Sequence, residues 1–136
     1  HAPSGRAITV EATPLPPVWG DPKLLKLAFN NLIGNAIKYS QPNTPVTVRA
    51  WADDDGIWVA VSDYGIGIPE TDLPRIFDRF HRAANADGIA GSGIGLHMVR
   101  QIVELHGGAI TVDSAEGHGS TFTARLRPAP AQGAAK

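Results

Sequence analysis

The sequence predicts a two-layer α/β sandwich of the α+β type, in which a mixed, largely antiparallel sheet of about five strands is covered on one face by three helices. Three observations point there. Ile57, Val59 and Val61 alternate with Trp58, Ala60 and Ser62, the period-two pattern of a half-buried strand. Leu24, Leu25, Ala28, Leu32, Ile33, Ala36 and Ile37 recur at helical spacing behind Asp21-Pro22, where Asp can cap and Pro can open a helix. Strand and helix patterns then alternate along 136 residues, enough for one domain with a real core.

The elements follow in order. Arg6 to Ala12 alternates weakly and reads as an edge strand, broken by Thr13-Pro14-Leu15-Pro16-Pro17. The first helix runs from Pro22 to about Tyr39, and Gln41 to Pro45 is a loop. Val46–Ala52 and Ile57–Asp63 are strands joined by Asp53-Asp54-Asp55-Gly56, a hairpin signal. Pro69 starts a short helix expected to reach Phe80. His81 to Ser92 has no periodicity and is rich in Ala, Gly and Asn, so it is expected to be a mobile loop. Gly93 to His106 is a helix that turns Ile94, Met98, Ile102 and Leu105 inward, flanked by Val99 and Val103. Gly107-Gly108 ends it. Ala109–Asp113 and Ser120–Arg127 are the last strands, with Glu116-Gly117-His118-Gly119 as their turn. Residues 1–5 and 128–136 are expected to be flexible ends around a domain at 6–127.

Composition narrows the function. The net charge is −1, which gives no general nucleic-acid surface and no basic membrane-seeking patch. There is no cysteine, so disulfides and thiolate metal sites are excluded. The sequence contains no spanning segment. His1 in place of an initiator Met suggests a processed chain or an excised fragment.

Four blocks could carry chemistry. Asp63 shares the parity of Ile57, Val59 and Val61, so its carboxylate is directed to the apolar face and needs a donor there. Gly65 and Gly67 allow a sharp turn and close approach to a ligand, although a strand-end Asp starting a turn has the same signature. Asn31 and Asn35 lie one turn apart on one helix face, with Lys38 beside them. That face is either solvated or a set of hard amide oxygens for Mg²⁺ with a cation for a phosphate. Gly91-Ser92-Gly93-Ile94-Gly95-Leu96 precedes a helix and frees backbone N–H groups for phosphates. It is neither the dinucleotide fingerprint nor a P-loop. Ile76-Phe77-Asp78-Arg79-Phe80 places two aromatics three apart, as lid anchors or as core. Gly119-Ser120-Thr121-Phe122 offers small polar groups on a strand.

In this order and spacing the blocks resemble the catalytic ATP-binding domain of sensor histidine kinases. Asn31–Tyr39 is similar to the family's asparagine box, Asp63–Ile68 to its first glycine box, Ile76–Phe80 to its phenylalanine box and Gly91–Leu96 to its second glycine box. The resemblance implies a Bergerat-type sandwich with ATP between the helical layer and the sheet. It implies that Asp63 accepts a hydrogen bond from the adenine amino group, and that Asn35 ligates Mg²⁺ with Asn31 and Lys38 near the phosphates. Tyr39 would flank the nucleotide, Thr121 would line the adenine end, and Gly91, Gly93 and Gly95 would close over the phosphates. Gly65, Gly67, Ile68, Phe80, Ser92, Ile94 and Leu96 complete the implied site.

ATPases of this fold such as DNA gyrase carry a glutamate at the Asn31 position to activate water; an amide there is no general base. Anti-sigma-factor serine kinases, the rival reading, also carry that glutamate. The family's phosphoacceptor is a His-Glu pair, and none of the five histidines here (His1, His81, His97, His106, His118) precedes a Glu. The resemblance therefore implies a donor domain without its own acceptor. Its partners would be a dimerisation and phosphoacceptor domain of the same kinase and a response regulator, with no nucleic acid and no direct membrane contact. The isolated domain would be a monomer, and the parent a homodimer anchored in the bacterial inner membrane with this domain in the cytoplasm.

Overall fold

The computed structural model describes residues 8–41, 43–78 and 95–130. Five strands form one sheet: β1 (Ile8–Ala12), β2 (Val46–Asp53), β3 (Gly56–Asp63), β4 (Ala109–Ala115) and β5 (Gly119–Leu126). Their order is β1-β2-β3-β5-β4. β1 lies parallel to β2 at the edge, and the other pairings are antiparallel. Two α-helices, α1 (Pro22–Tyr39) and α2 (Gly95–Leu105), and a 3-10 helix (Glu70–Arg75) complete the described elements.

The register explains which face is covered. Val48 pairs with Val61, Val61 with Phe122 and Phe122 with Val112, so one apolar row crosses four strands on the inner face. Ala28, Leu32 and Ala36 of α1 and Val99, Ile102 and Val103 of α2 pack into the same buried cluster. The outer face carries Thr47, Arg49, Trp51, Trp58 and Ser62, with Trp51 and Trp58 stacked 6.2 Å apart at 8°.

Local chemistry sets the helix ends. The Asp21 carboxylate accepts from the N–H groups of Lys23 and Leu24, a cap that contributes about 1 kcal/mol. At the end of α2 the Gly108 N–H reaches Val103 O and the Gly107 N–H reaches Glu104 O, with Gly107 at φ 74. That is a Schellman closure, and it needs a left-handed residue at Gly107.

Several expectations are corrected. The segment after Pro69 is a 3-10 helix ending at Arg75, not a helix reaching Phe80; Phe80 lies outside the described residues. Pro74 sits inside it, and a proline there removes the N–H and crowds the carbonyl four residues back. Leu24 and Leu105, expected to face inward, are exposed, Leu105 by 73%. Each has a neighbour that takes the inward position instead, Leu25 beside Leu24 and Val103 and His106 around Leu105. In the β2–β3 hairpin Asp53 pairs with Gly56, and the left-handed residue is Gly56 (φ 144). Pro128 and Ala129 fall outside the expected domain, yet Pro128 bridges Val18 and the Ala129 N–H donates to Pro17 O. The expected loop at 81–92 and the start of the second helix at Gly93 and Ile94 lie outside the described residues.

Candidate functional site

The end of α1 is stitched to the turn that follows β3. The Ile66 N–H donates to Tyr39 O at 3.2 Å, the Gln41 N–H donates to Tyr64 O at 3.1 Å, and Ser40 bridges Gly65. The asparagine-bearing helix and the Asp63 turn, 24 residues apart in the shorter sense from Tyr39 to Asp63, are therefore one unit. Glycine is required at that seam. A Cβ on Gly65 would overlap the Tyr39 carbonyl, and one on Gly67, at φ 69, would overlap the Ala115 carbonyl. The close approach these glycines permit in the structure is to the chain's own backbone.

Asp63 is half-buried, and its Oδ1 accepts from the Gly65 N–H at 2.8 Å. This is the donor its inward parity required. Asp63 pairs with Ser120, and Ser120 pairs with Ser114. Side chains paired in this way share a face, so Ser114, Ser120 and Asp63 form a polar row on the inner face of the sheet. The row lies directly beyond Val112, Phe122 and Val61. Ser114 Oγ lies 2.7 Å from Ser120 Oγ, donates to Gly119 O at 3.0 Å and accepts from the Ile68 N–H at 2.9 Å.

Thr121 is corrected. It pairs with Ser62, and their hydroxyls meet at 2.9 Å on the outer face, opposite the side of Asp63. The residue of this strand that pairs with Asp63 and shares its face is Ser120, 9% exposed.

On the helical side, Asn31 and Asn35 are half-exposed and Lys38 is exposed. The Lys38 ammonium lies 5.5 Å from the centroid of the half-buried Tyr39 ring. The Asn31 Nδ2 donates to Leu27 O at 2.9 Å. Its Oδ1 faces the start of α2, where a Cβ on Gly95 would lie 3.0 Å away. The asparagine face thus meets the end of the Gly91–Leu96 block, of which Gly95 and Leu96 are described; Gly91, Ser92, Gly93 and Ile94 are not. Leu96 and Ile68 pack against the core.

Phe77 does core work. Its ring meets Phe122 edge-on, with centroids 6.1 Å apart, and Arg100 lies 5.6 Å above it. His97 Nδ1 contacts Phe77 O at 3.2 Å. His106 is at the other end of α2, buried, and both of its ring nitrogens are engaged: Nε2 accepts from the Asp21 N–H at 2.9 Å, and Nδ1 lies 2.7 Å from Ile102 O. Among the described residues no group of three or more His, Cys, Asp or Glu is arranged to hold a metal ion.

The helix-over-sheet layers, with Asp63 at the end of β3 and its turn stitched to the end of the asparagine-bearing helix, have the fold of a known family. Residues 20–130 match the family of histidine kinase-, DNA gyrase B-, and HSP90-like ATPases, and the chain belongs to it. Among solved structures it is similar to the mycobacterial sensor histidine kinase MprB, with 37% identity and a TM-score of 0.83 over 93% of this chain and 87% of that one. It is also similar to ShkA, solved in complex with AMPPNP, with 30% identity and a TM-score of 0.78 over 93% of this chain and 27% of ShkA. The phosphate regulon sensor protein PhoR of Pseudomonas aeruginosa is 36% identical over 124 residues, 90% of this chain. The chain spans 28% of PhoR's length.

Proposed function

We propose that this chain is the phosphoryl-donating domain of a sensor histidine kinase, which binds Mg·ATP and passes the γ-phosphoryl to a histidine on a separate phosphoacceptor domain. The observation that supports it most is the polar row ending in Asp63, set on the inner face of the sheet and stitched to the helix that carries Asn31 and Asn35. A nucleotide lying between the two layers would meet an acceptor for an exocyclic amine at the sheet and amides with Lys38 at the helix. Tyr39 would flank it, and Gly95 and Leu96 would bring the start of α2 toward the phosphates.

The donor set fits Mg²⁺ held by one amide oxygen, from Asn35, with phosphate oxygens and water as the remaining ligands. When bound, that ion neutralises phosphate charge. Asn31 is turned toward α2 and has no basic group, so the site holds and aligns ATP without activating water. His97 and His106 have ring nitrogens tied to the backbone, which suits a domain whose acceptor lies elsewhere. Among the described residues no helix is long and apolar enough to cross a membrane. A parent kinase that is dimeric, membrane-anchored and paired with a response regulator is part of the same proposal.

The test is incubation of the chain with γ-labelled ATP, alone and with a phosphoacceptor domain of a close relative, followed by alkaline gel analysis. Label is expected on the acceptor domain only. Stoichiometric phosphohistidine on this chain alone would overturn the assignment.

A further inference from the structure

We propose that Ser114, which lies outside every motif read from the sequence, is a positioning residue that makes the site select a 6-amino purine over a 6-oxo purine. The inference rests on the adenine-nucleotide reading above. It follows from counting hydrogens. A serine hydroxyl has one proton and two lone pairs. Ser114 Oγ has three partners: the Ile68 N–H, which can only donate; Gly119 O, which can only accept; and Ser120 Oγ. One arrangement satisfies all three. Ser114 gives its proton to Gly119 O and receives the Ile68 N–H, so the short contact of 2.7 Å requires Ser120 to donate to Ser114.

The consequence is carried across the sheet. With its proton committed to Ser114, Ser120 Oγ offers a ligand lone pairs only. Ser120 is the register partner of Asp63, whose carboxylate is also an acceptor. Two neighbouring acceptors suit the N–H donors of an amine and repel a carbonyl oxygen. A site built to receive a donor discriminates strongly, because the wrong base leaves its groups unmatched. Ser114 also fixes Ile68 at the end of the Asp63 turn, so one hydroxyl sets both the turn and the polarity of its neighbour.

The experiment measures affinity for ADP and for IDP, which differ at the 6-position, by competition against a fluorescent nucleotide. Wild type, Ser114→Ala, Ser114→Thr and Ser120→Ala are compared, with circular dichroism as the fold control. Wild type is expected to prefer ADP. Ser114→Ala frees the Ser120 proton, so its preference should fall about fivefold to tenfold, the size of one hydrogen bond. Ser114→Thr, which keeps the hydroxyl, should restore it. If Ser114→Ala does not fold, Ser120→Ala should show the same narrowed preference. An unchanged ADP-to-IDP ratio in the folded serine variants would overturn the role of Ser114 and leave the adenine reading standing. Failure of wild type to bind ADP at all would overturn both.

Discussion

The two ends of the helical layer both bury polar side chains, and they do so differently. At the His106 end the buried side chain is matched by groups of the chain. The imidazole joins the Asp21 N–H to Ile102 O, and its ring meets Trp19 edge-on at 5.9 Å. Arg127 lies 4.9 Å over Trp19, and the Trp19 N–H donates to Arg127 O. Gly20, at φ 145, leaves the space that the imidazole fills. Because Nε2 accepts, Nδ1 carries the proton, and a protonated ring could not play this part. At the Asp63 end the oxygens of Asp63, Ser120 and Ser114 line up on the inner face of the sheet, and the Asp63 turn is stitched to the end of the helix that carries the amides and the lysine. In the function proposed here, the same ingredient, buried polarity, is a staple at one end and a site at the other. The distinction is one of kind: a ring that bridges an N–H and a carbonyl at one end, and a row of oxygens on the inner face of the sheet at the other.

Mutations should separate the two. The largest effect is expected from Asn35→Ala, which should abolish phosphoryl transfer to an added acceptor domain while the circular dichroism spectrum is retained. Undiminished transfer by the folded variant would remove Asn35 from the magnesium site. At the opposite end, His106→Ala should cost about 2–4 kcal/mol in urea unfolding, through the lost contacts and an unmatched Asp21 N–H. Nucleotide affinity of the folded fraction should hold; a proportionate loss of affinity would make the two ends one system.

The turn glycines sharpen the comparison. Gly67→Ala forces a Cβ into the Ala115 carbonyl, whereas Gly117→Ala, at φ 83, meets open space. The second should cost about 1–2 kcal/mol for its left-handed backbone, and the first clearly more. Equal costs by thermal melting would mean that the seam between the Asp63 turn and the β4–β5 hairpin gives way freely.

The smallest effect lies away from both ends. The Trp58 Nε1–H bond, followed by the Asp55 N–H bond, holds the Asp53 carboxyl below the usual carboxylate range. A lowered pKa stabilises the fold above the unfolded value and loses that contribution as pH falls through the folded value. Trp58→Phe should therefore raise the Asp53 titration toward the ordinary value and narrow the acid-sensitive window that lies below it. Carboxyl NMR would show it; an unmoved Asp53 titration would assign the shift to the backbone alone.

Much of this was legible in the sequence. Period-two alternation placed β3 and turned Asp63 inward, and the Asp21-Pro22 start and apolar stripe placed α1. The same period-two rule, run back from Leu126, Ala124 and Phe122, reaches Ser120 and not Thr121; run forward from Ile110 and Val112 it reaches Ser114. That signal separates Ser120, on the face of Asp63, from Thr121, which the motif resemblance singles out. The structural role of Gly65 and Gly67 was not legible, because it depends on carbonyls of Tyr39 and Ala115 brought close only by the fold. The stitching of His106 to Asp21, 85 residues away, was hidden for the same reason.

The central claim is that the Asp63 end is where an adenine nucleotide is read. Calorimetric titration of ADP into wild type and Asp63→Asn tests it most directly. The asparagine keeps an oxygen for the Gly65 N–H while removing the charge and replacing one acceptor with a donor. A hydrogen bond to a charged group contributes about 1.5–3 kcal/mol, so affinity should fall roughly tenfold or more, with urea stability little changed. Equal ADP affinity in the two proteins would contradict the account.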